Sequence, residues 1–220
     1  MQHKNEKRPG KQSLVGSYVH KKIGQLVEGD NDSLTRASLA RLRRGLGKPP
    51  GSLPDLWAMT LDGMPQELVG TGCEPSWGEW ACYLALTLFA LHQQGKDWKT
   101  EPMSQKGWPL GRAVRRLATD DDSLARVKRR FDQVVTADSP QEAAHYLRNI
   151  VQLLRAEGIP LDYPALAQDL YSYQNPQFRD GVRLKWGRDF CFVPQEKKDV
   201  APDEEQLSMT EIEEETHEEV

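Results

Sequence analysis

The sequence predicts an all-α protein made of two helical bundles with a disordered acidic C-terminal tail. Apolar residues recur at helical spacing along most of its 220 residues, whereas the alternating Val, Ile and Thr runs typical of strands are missing. Gly and Pro cluster between the apolar stretches and separate one predicted helix from the next. Hydrophobic residues make up 38% of the chain, and six residues are Trp, so the sequence can build at least one sizeable core.

The first predicted bundle covers residues 13–95 and follows a polar arm at residues 1–12. Segment 77–92 is apolar on nearly every side, so it should run through the middle of this bundle. Ser33 is expected to cap the second helix and Gly45 to end it, where a loop rich in Gly and Pro begins. The helices of this half are expected at residues 14–27, 33–44, 55–61 and 77–92.

The second predicted bundle covers residues 108–193. The polar stretch before it, residues 93–109, contains two Gly and two Pro and forms the natural boundary between the halves. Asp121 and Asp122 favour the start of a helix through its dipole, and Pro140 fits the first turn of another. The helices of this half are expected at residues 110–118, 123–137, 140–157, 163–174 and 177–192.

The net charge of −4 hides an asymmetry between the tail and the rest of the chain. Residues 194–220 carry eleven acidic side chains against Lys197 and Lys198, so this tail has a net charge of −9. The remaining 193 residues therefore carry a net charge of +5. A basic body is compatible with a polyanionic partner, and the tail, which lacks aromatic residues, is expected to be disordered.

Several function classes find no support in the sequence. The apolar run 81–91 is about half as long as a membrane-spanning helix, and residues 1–12 lack the apolar core of a secretory signal. The three Cys and five His show none of the spacings of a metal site. No motif of a hydrolase or metalloprotease occurs. We therefore expect a cytoplasmic protein with no catalytic residues, no metal, no cofactor and no membrane contact.

Arginines gather on the outward faces of the predicted helices in the second half. At 100° per residue, three Arg lie opposite the apolar stripe of helix 110–118, three face outward from helix 123–137, and two, Arg148 and Arg155, share one flank of helix 140–157. Almost no Asp or Glu shares these faces, so the charges repel each other unless an anion lies across them. Phosphate is such an anion, because the guanidinium group pairs with its oxygens. The candidate residues are Arg112, Arg115, Arg116, Arg126, Arg129, Arg130 and Arg148, with Arg44 in the N-terminal half.

Two other interpretations of these surfaces stay open. Arg commonly populates solvated helix faces, where its stem covers apolar atoms. The arginines could also meet acidic protein partners in a structural helical adaptor that never contacts nucleic acid. Aromatic side chains give a weaker signal, since three Trp lie on apolar helices and are predicted to be core, whereas three in polar surroundings could stack on bases. These are Trp57, Trp77 and Trp80, and Trp98, Trp108 and Trp186, respectively.

Three stretches of the C-terminal half have the order and spacing of motifs in a known family. They are residues 107–113 (GWPLGRA), 161–171 (LDYPALAQDLY) and 182–190 (VRLKWGRDF). In these residues the sequence resembles the CasB family. The likeness reaches from about residue 14 to residue 192, although the N-terminal half shares only the helical layout and the Arg43-Arg44 pair.

The resemblance implies the non-catalytic small subunit of the type I-E CRISPR surveillance complex, Cascade, which acts in antiviral defence. Such a subunit is a two-bundle helical protein, present in two copies beside the other Cascade subunits. It contacts guide RNA and target DNA, including the displaced strand, and helps to hold the R-loop open without reading sequence. By the family's pattern, the contacts are expected at Arg44, Arg112, Arg126, Arg129, Arg130 and Arg148.

Overall fold

The computed structural model describes residues 10–29 and 31–192. Within these ranges the chain forms α-helices and two short 3₁₀ turns, with no β-structure beyond one isolated bridge between Ser104 and Leu161. The predicted all-α fold is confirmed for this part of the chain, and the predicted disordered tail at 194–220 lies outside it. The helices are α1 (Lys11–Val27), α2 (Asp32–Arg43), α3 (Trp57–Thr60), α4 (Trp77–His92), α5 (Leu110–Arg115), α6 (Asp121–Thr136), α7 (Pro140–Glu157), α8 (Tyr163–Tyr173) and α9 (Pro176–Cys191).

Local capping explains where the first helices depart from the prediction. α1 already begins at Lys11 and so takes in the end of the predicted polar arm. α2 is capped by Asn31 and not by Ser33, because the Asn31 side chain accepts a hydrogen bond from Leu34 N at 3.0 Å. Asn is as good an N-cap as Ser. The expected helix 55–61 is instead a 3₁₀ turn followed by the single helical turn of α3.

Two helices of the second half also differ from their predicted bounds. α6 begins at Asp121, two residues before its predicted start, because Asp120 and Ser123 form a capping box in which Ser123 N donates to Asp120 Oδ1 at 2.7 Å. α5 ends at Arg115, three residues before its predicted end. It is therefore a helix of only six residues.

α4 lies at the centre of the fold, as predicted. A capping box of Ser76 and Glu79 fixes its start, and every residue from Ala81 to His92 is buried. α1, α2, α7 and α8 all pack against it. At its buried end, His92 Nδ1 lies 3.1 Å from the Tyr163 hydroxyl.

Two Trp that were predicted to be core are exposed. Trp57 is 50% exposed, and its indole N–H donates to the Gly51 carbonyl at 2.9 Å. Trp77 is 44% exposed, and its ring lies edge-on to Tyr171 with centroids 6.4 Å apart. The prediction is wrong for both, since an apolar sequence context does not show where along a helix the covering elements stop.

The two predicted bundles share one continuous core. α1 packs on α8, where Gly16 lies so close to Gln168 that a Cβ would overlap that side chain. Buried apolar residues from both halves form a single cluster. The division into folding units at 13–95 and 108–193 stays a prediction.

The three sequence motifs meet in one place, which we call the motif junction (residues 107–113, 161–171 and 182–190). Asp162 ties the first stretch to the second. One of its carboxylate oxygens accepts from Gly107 N and the other from Ala165 N, each at 3.0 Å, and its own N donates to the Trp108 carbonyl at 2.8 Å. A single carboxylate thus caps α8 and anchors the loop that leads into α5.

The third stretch closes the motif junction from α9. At Gly111, α5 approaches α9 so closely that a Cβ would lie 2.6 Å from Phe190 N and nearer still to the Trp186 carbonyl. Asp169 on α8 accepts hydrogen bonds from Lys185 Nζ at 2.6 Å and from Trp186 Nε1 at 2.9 Å. Burial raises the pKa of the Asp169 carboxyl, and the two bonds act against this rise. The motif residues therefore hold α5, α8 and α9 together.

Candidate nucleic-acid interface

α6 presents three arginines on its solvent side. Val127, Phe131 and Val134 are buried along one stripe of the helix, and Phe131 stacks on Phe190 of α9 with ring centroids 5.4 Å apart. Because successive residues turn by about 100°, Arg129 lies nearly opposite this stripe, and Arg126 and Arg130 lie on one flank of it. The surface made by Arg126, Arg129 and Arg130, all exposed, is called here the α6 arginine face.

The α6 arginine face is not neutralised by carboxylates. None of its three guanidinium groups has an ion pair or a side-chain hydrogen bond with another residue in 10–29 or 31–192. Asp132 is taken by Lys128, whose Nζ lies 2.7 Å from it. At the start of α6, the hydrogen bond from the Ser123 backbone lowers the pKa of Asp120, and the Arg126 charge adds to this without forming an ion pair. Three like charges within two helical turns repel each other, so a bound anion would stabilise this surface.

The arginines of α5 are less exposed than the sequence predicts. Arg116, at the C-cap, is exposed, but Arg112 and Arg115 are half-buried, so part of each of these two side chains is covered. Arg112 Nη1 donates to the Gly107 carbonyl at 3.0 Å, which ties its stem to the motif junction. These two side chains are partly covered because α5, a short helix, packs against both α9 and α6.

Arg148 on α7 is exposed, as the sequence predicts, and has no ion pair with another described residue. Arg155, two turns further along the same flank, is half-buried and donates to Gln94 Oε1 at 2.9 Å. Arg148 therefore adds a cation to the helix that packs against α6.

Arg44 differs from the other candidates because it already has a partner. Its Nη1 lies 3.2 Å from the Asp55 carboxylate, and both side chains are exposed. Its neighbour Arg43 is half-buried and donates to the Ala90 carbonyl at 3.4 Å. A phosphate at Arg44 would have to compete with Asp55, which makes this the weakest of the candidate positions.

A cavity of about 380 Å³ lies between α6 and α7 beside the α6 arginine face. Arg130 and Gln133 line it from α6, and Tyr146 and two further amides line it from α7. These α7 residues could not be recognised as candidates from the sequence, because Asn, Gln and Tyr on a helix surface carry no charge pattern. Only the three-dimensional packing of the two helices brings them together.

The Trp residues that stayed open as base-stacking candidates do not form a site. Trp186 is fully buried in the motif junction, so its interpretation as a candidate is wrong. Trp98 and Trp108 are half-buried, and the Arg36 guanidinium lies 5.7 Å from the Trp98 ring centroid. The polar sequence around Trp186 is misleading, because its indole packs among α5, α8 and α9 while its neighbours face solvent.

Neither a cluster of metal ligands nor a membrane-spanning helix occurs in the described residues. In 10–29 and 31–192, no three His, Cys, Asp or Glu side chains come together as metal ligands. None of the helices in these ranges is both long enough and apolar enough to cross a membrane.

Comparison with known proteins identifies the family. The family model for CRISPR-associated protein Cse2 matches residues 38–190. CasB from Thermobifida fusca is 39% identical over 80% of this chain and 97% of that chain, and its crystal structure superposes with a TM-score of 0.67. No curated protein matches the sequence.

More distant structures share the fold. A Cse2-family protein from Thermus thermophilus is 25% identical over 81% of this chain and 96% of that chain, with a TM-score of 0.55. M. ruber CasB is 24% identical over 79% and 91%, with a TM-score of 0.56. Because the family model spans more than half of the sequence and one relative exceeds 30% identity, this chain belongs to the Cse2 family of CRISPR-associated proteins, which includes CasB.

Proposed function

We propose that this chain is the small subunit of a type I-E Cascade complex, which binds the backbone of guide RNA and target DNA and stabilises the R-loop. Membership of the Cse2 family supports a structural and non-catalytic role as a Cascade subunit. Its partners are then the other Cascade subunits, a second copy of itself, the guide RNA, and the target and displaced DNA strands.

The α6 arginine face is the observation that carries the nucleic-acid part of this proposal. Three exposed guanidinium groups without carboxylate partners offer paired donors to phosphate oxygens. Contacts of this kind position a protein on nucleic acid without reading its sequence. Arg148, Arg116 and the half-buried Arg112 and Arg115 extend the basic surface along the neighbouring helices.

Backbone contacts are sufficient for R-loop stabilisation because the exchange of strands is nearly balanced. The RNA–DNA hybrid that forms is about as stable as the DNA duplex it replaces. A few Arg–phosphate contacts to the opened strands therefore shift the equilibrium towards the R-loop.

Binding of labelled single-stranded DNA and RNA by the full-length chain, followed by fluorescence anisotropy over a salt series, tests this proposal. Replacing Arg126, Arg129 and Arg130 by Ala should weaken binding and lower the slope of log K against log salt by about 2, from three lost contacts at about 0.7 each. A matched control replaces Lys21, Arg41 and Lys48, three exposed cations of the N-terminal half. It should keep nearly the full slope.

The outcomes separate the two candidate roles. Equal losses in the two triple variants would mean that binding reflects overall charge and not the α6 arginine face. If neither nucleic acid binds at low salt, the structural adaptor with acidic protein partners becomes the better description. In assembled Cascade, we expect the α6 triple variant to incorporate normally but to lower the yield of R-loops on native gels.

A further inference from the structure

The cavity between α6 and α7 has an apolar floor. Ile150, which is 1% exposed, and the half-buried Leu153 form its base. α6 and α7 are joined by only three residues, 137–139, so they pack side by side as an αα-hairpin and hold the floor in place. A flat, partly apolar group that enters the cavity would therefore move its faces from water onto apolar side chains, and this transfer is favourable in free energy.

The rim of the cavity is made of hydrogen-bonding groups that have no partner. Gln133, Asn149 and Gln152 are exposed, and none of their carboxamides bonds to another described residue. Each carboxamide offers both donors and an acceptor. The edges of nucleobases present the same mixture of donors and acceptors, which Asn and Gln bind in pairs.

Tyr146 supplies an aromatic wall that is held in position. Its ring lies edge-on to His145, with centroids 5.5 Å apart, and its hydroxyl interacts with the Glu142 carboxylate. Glu142 is itself fixed, because it accepts a hydrogen bond from Asp138 N at 3.0 Å. Aromatic side chains of this kind are the usual stacking platforms for unpaired bases.

The charge of the cavity fits a nucleotide. Arg130 is the charged residue among those that line it, and no carboxylate does so. Arg148 lies four residues before Gln152 and so faces the same side of α7. A strand that crosses between the two helices can place phosphates at these arginines while one base turns inward.

We propose that the α6–α7 cavity binds one unstacked nucleobase of a single strand, with its backbone held by Arg130. This inference rests on the proposed function, because Arg130 belongs to the α6 arginine face. It adds a preference that backbone contacts cannot give, since bases in a duplex keep their faces stacked and their edges paired. The ligand is therefore single-stranded DNA or RNA with intact bases, and not duplex.

The test compares a short single-stranded DNA with the same strand carrying abasic sites, measured by anisotropy with the full-length chain. The two strands have equal numbers of phosphates, so their salt slopes should agree. We expect the abasic strand to bind about tenfold more weakly, as for the loss of one stacked base. A variant with Tyr146→Leu and Asn149→Ala should lose this difference, whereas a control with Gln66→Ala and Gln177→Ala, two exposed amides elsewhere, should keep it.

Each outcome has a distinct meaning. Equal binding of intact and abasic strands by the unmodified protein overturns the base cavity and leaves the backbone-binding function standing. A difference that persists in the Tyr146 and Asn149 variant also overturns it, because the base is then recognised elsewhere. Failure of both strands to bind overturns the proposed function and the cavity together. Thermal unfolding at an unchanged temperature shows that the variants remain folded.

Discussion

The motif junction and the α6 arginine face differ in how their polar groups are paired, although Arg183 Nε and Asp189 Oδ2 of the junction are buried without a hydrogen-bond partner. In the junction, Asp162, Asp169 and Trp186 all have hydrogen-bond partners at 3.0 Å or less. The helices pack so closely that a Cβ at position 111 would overlap the backbone of α9. On α6, three guanidinium groups project into solvent without an ion pair in the described ranges. Buried polar groups are almost always paired, whereas unpaired exposed charges remain available for a ligand.

This difference separates the residues that define the fold from those that the proposed function uses. The family resemblance rests on the junction motifs, which pack α5, α8 and α9 together. Arg112 lies within a junction motif and is also one of the candidate nucleic-acid-binding residues, so a substitution there can affect both the fold and the proposed function. Elsewhere we expect substitutions in one region to leave the other unchanged.

Gly111→Ala should have the largest effect. The added Cβ would meet the backbone of α9, and backbone cannot move as a flexible side chain does, so we expect a loss of about 3 kcal/mol in the free energy of unfolding. Urea denaturation followed by circular dichroism measures it. Gly187→Ala on α9 is the matched control, because its Cβ meets no atom within 4 Å. This control should be stabilising by about 0.5–1 kcal/mol from helix propensity.

His92 is a buried titratable residue in the core around α4, and the pH dependence of stability is expected to report on it. Burial lowers the pKa of His92 to about 4, and the charges of Arg155 and Lys96 act in the same direction. As the pH falls, His92 of the unfolded chain therefore takes up a proton before His92 of the folded chain does. The stability that depends on a neutral His92 is present above pH ~6.5 and is lost as the pH falls towards 4. The loss should reach about 3 kcal/mol over that range.

Urea titrations between pH 7 and pH 4 check this prediction, with His92→Gln as the comparison. The variant should show a shallower dependence on pH. An imidazole NMR signal of His92 that titrates near pH 6.5 in the folded protein would contradict it.

Asp169→Ala should have a smaller but clear effect. The substitution leaves the buried Trp186 indole N–H without an acceptor, although the half-exposed Lys185 ammonium can turn to water. We expect a loss of about 2 kcal/mol, the usual cost of an orphaned buried donor. Asp169→Asn keeps an acceptor for the indole and should lose less. Equal losses in the two variants would show that the negative charge, and not the hydrogen bond, is what matters.

The triple replacement of Arg126, Arg129 and Arg130 by Ala should have the smallest effect on stability. Exposed positions without partners change the free energy of unfolding by less than about 0.5 kcal/mol. At low salt the variant should be slightly more stable, because like charges on neighbouring helical turns are removed. A large loss of stability would show that these arginines make structural contacts in the folded protein.

Most of the fold could be predicted because it depends on helical periodicity and caps. α4 and α7 have the bounds that the sequence predicts, since an apolar run marks the first and Pro140 the start of the second. The end of α5 could not be predicted, because residues 116–118 continue in turns, with Leu117 N bonded to the Val114 carbonyl and Ala118 N to the Arg115 carbonyl. The motifs were visible in the sequence, but their meeting in one place was not.

The candidate site could be predicted in part. The exposure of Arg126, Arg129 and Arg130 follows from the apolar stripe of α6 alone. The pairing of Arg44 with Asp55 could not be foreseen, because the two are joined by a loop of irregular structure. The amides and Tyr146 of the α6–α7 cavity gave no signal, since neutral polar residues on a helix are ordinary until a neighbouring helix encloses them.

The position of the motif junction along the chain also has a consequence for synthesis on the ribosome. α6 and α7 adjoin in sequence and can pair as soon as both have emerged. α5 is different, because its partner Trp186 lies in α9, about 75 residues later. We therefore expect the arginine-bearing hairpin to form first on the nascent chain, and α5 to pack against α9 only when α9 leaves the exit tunnel.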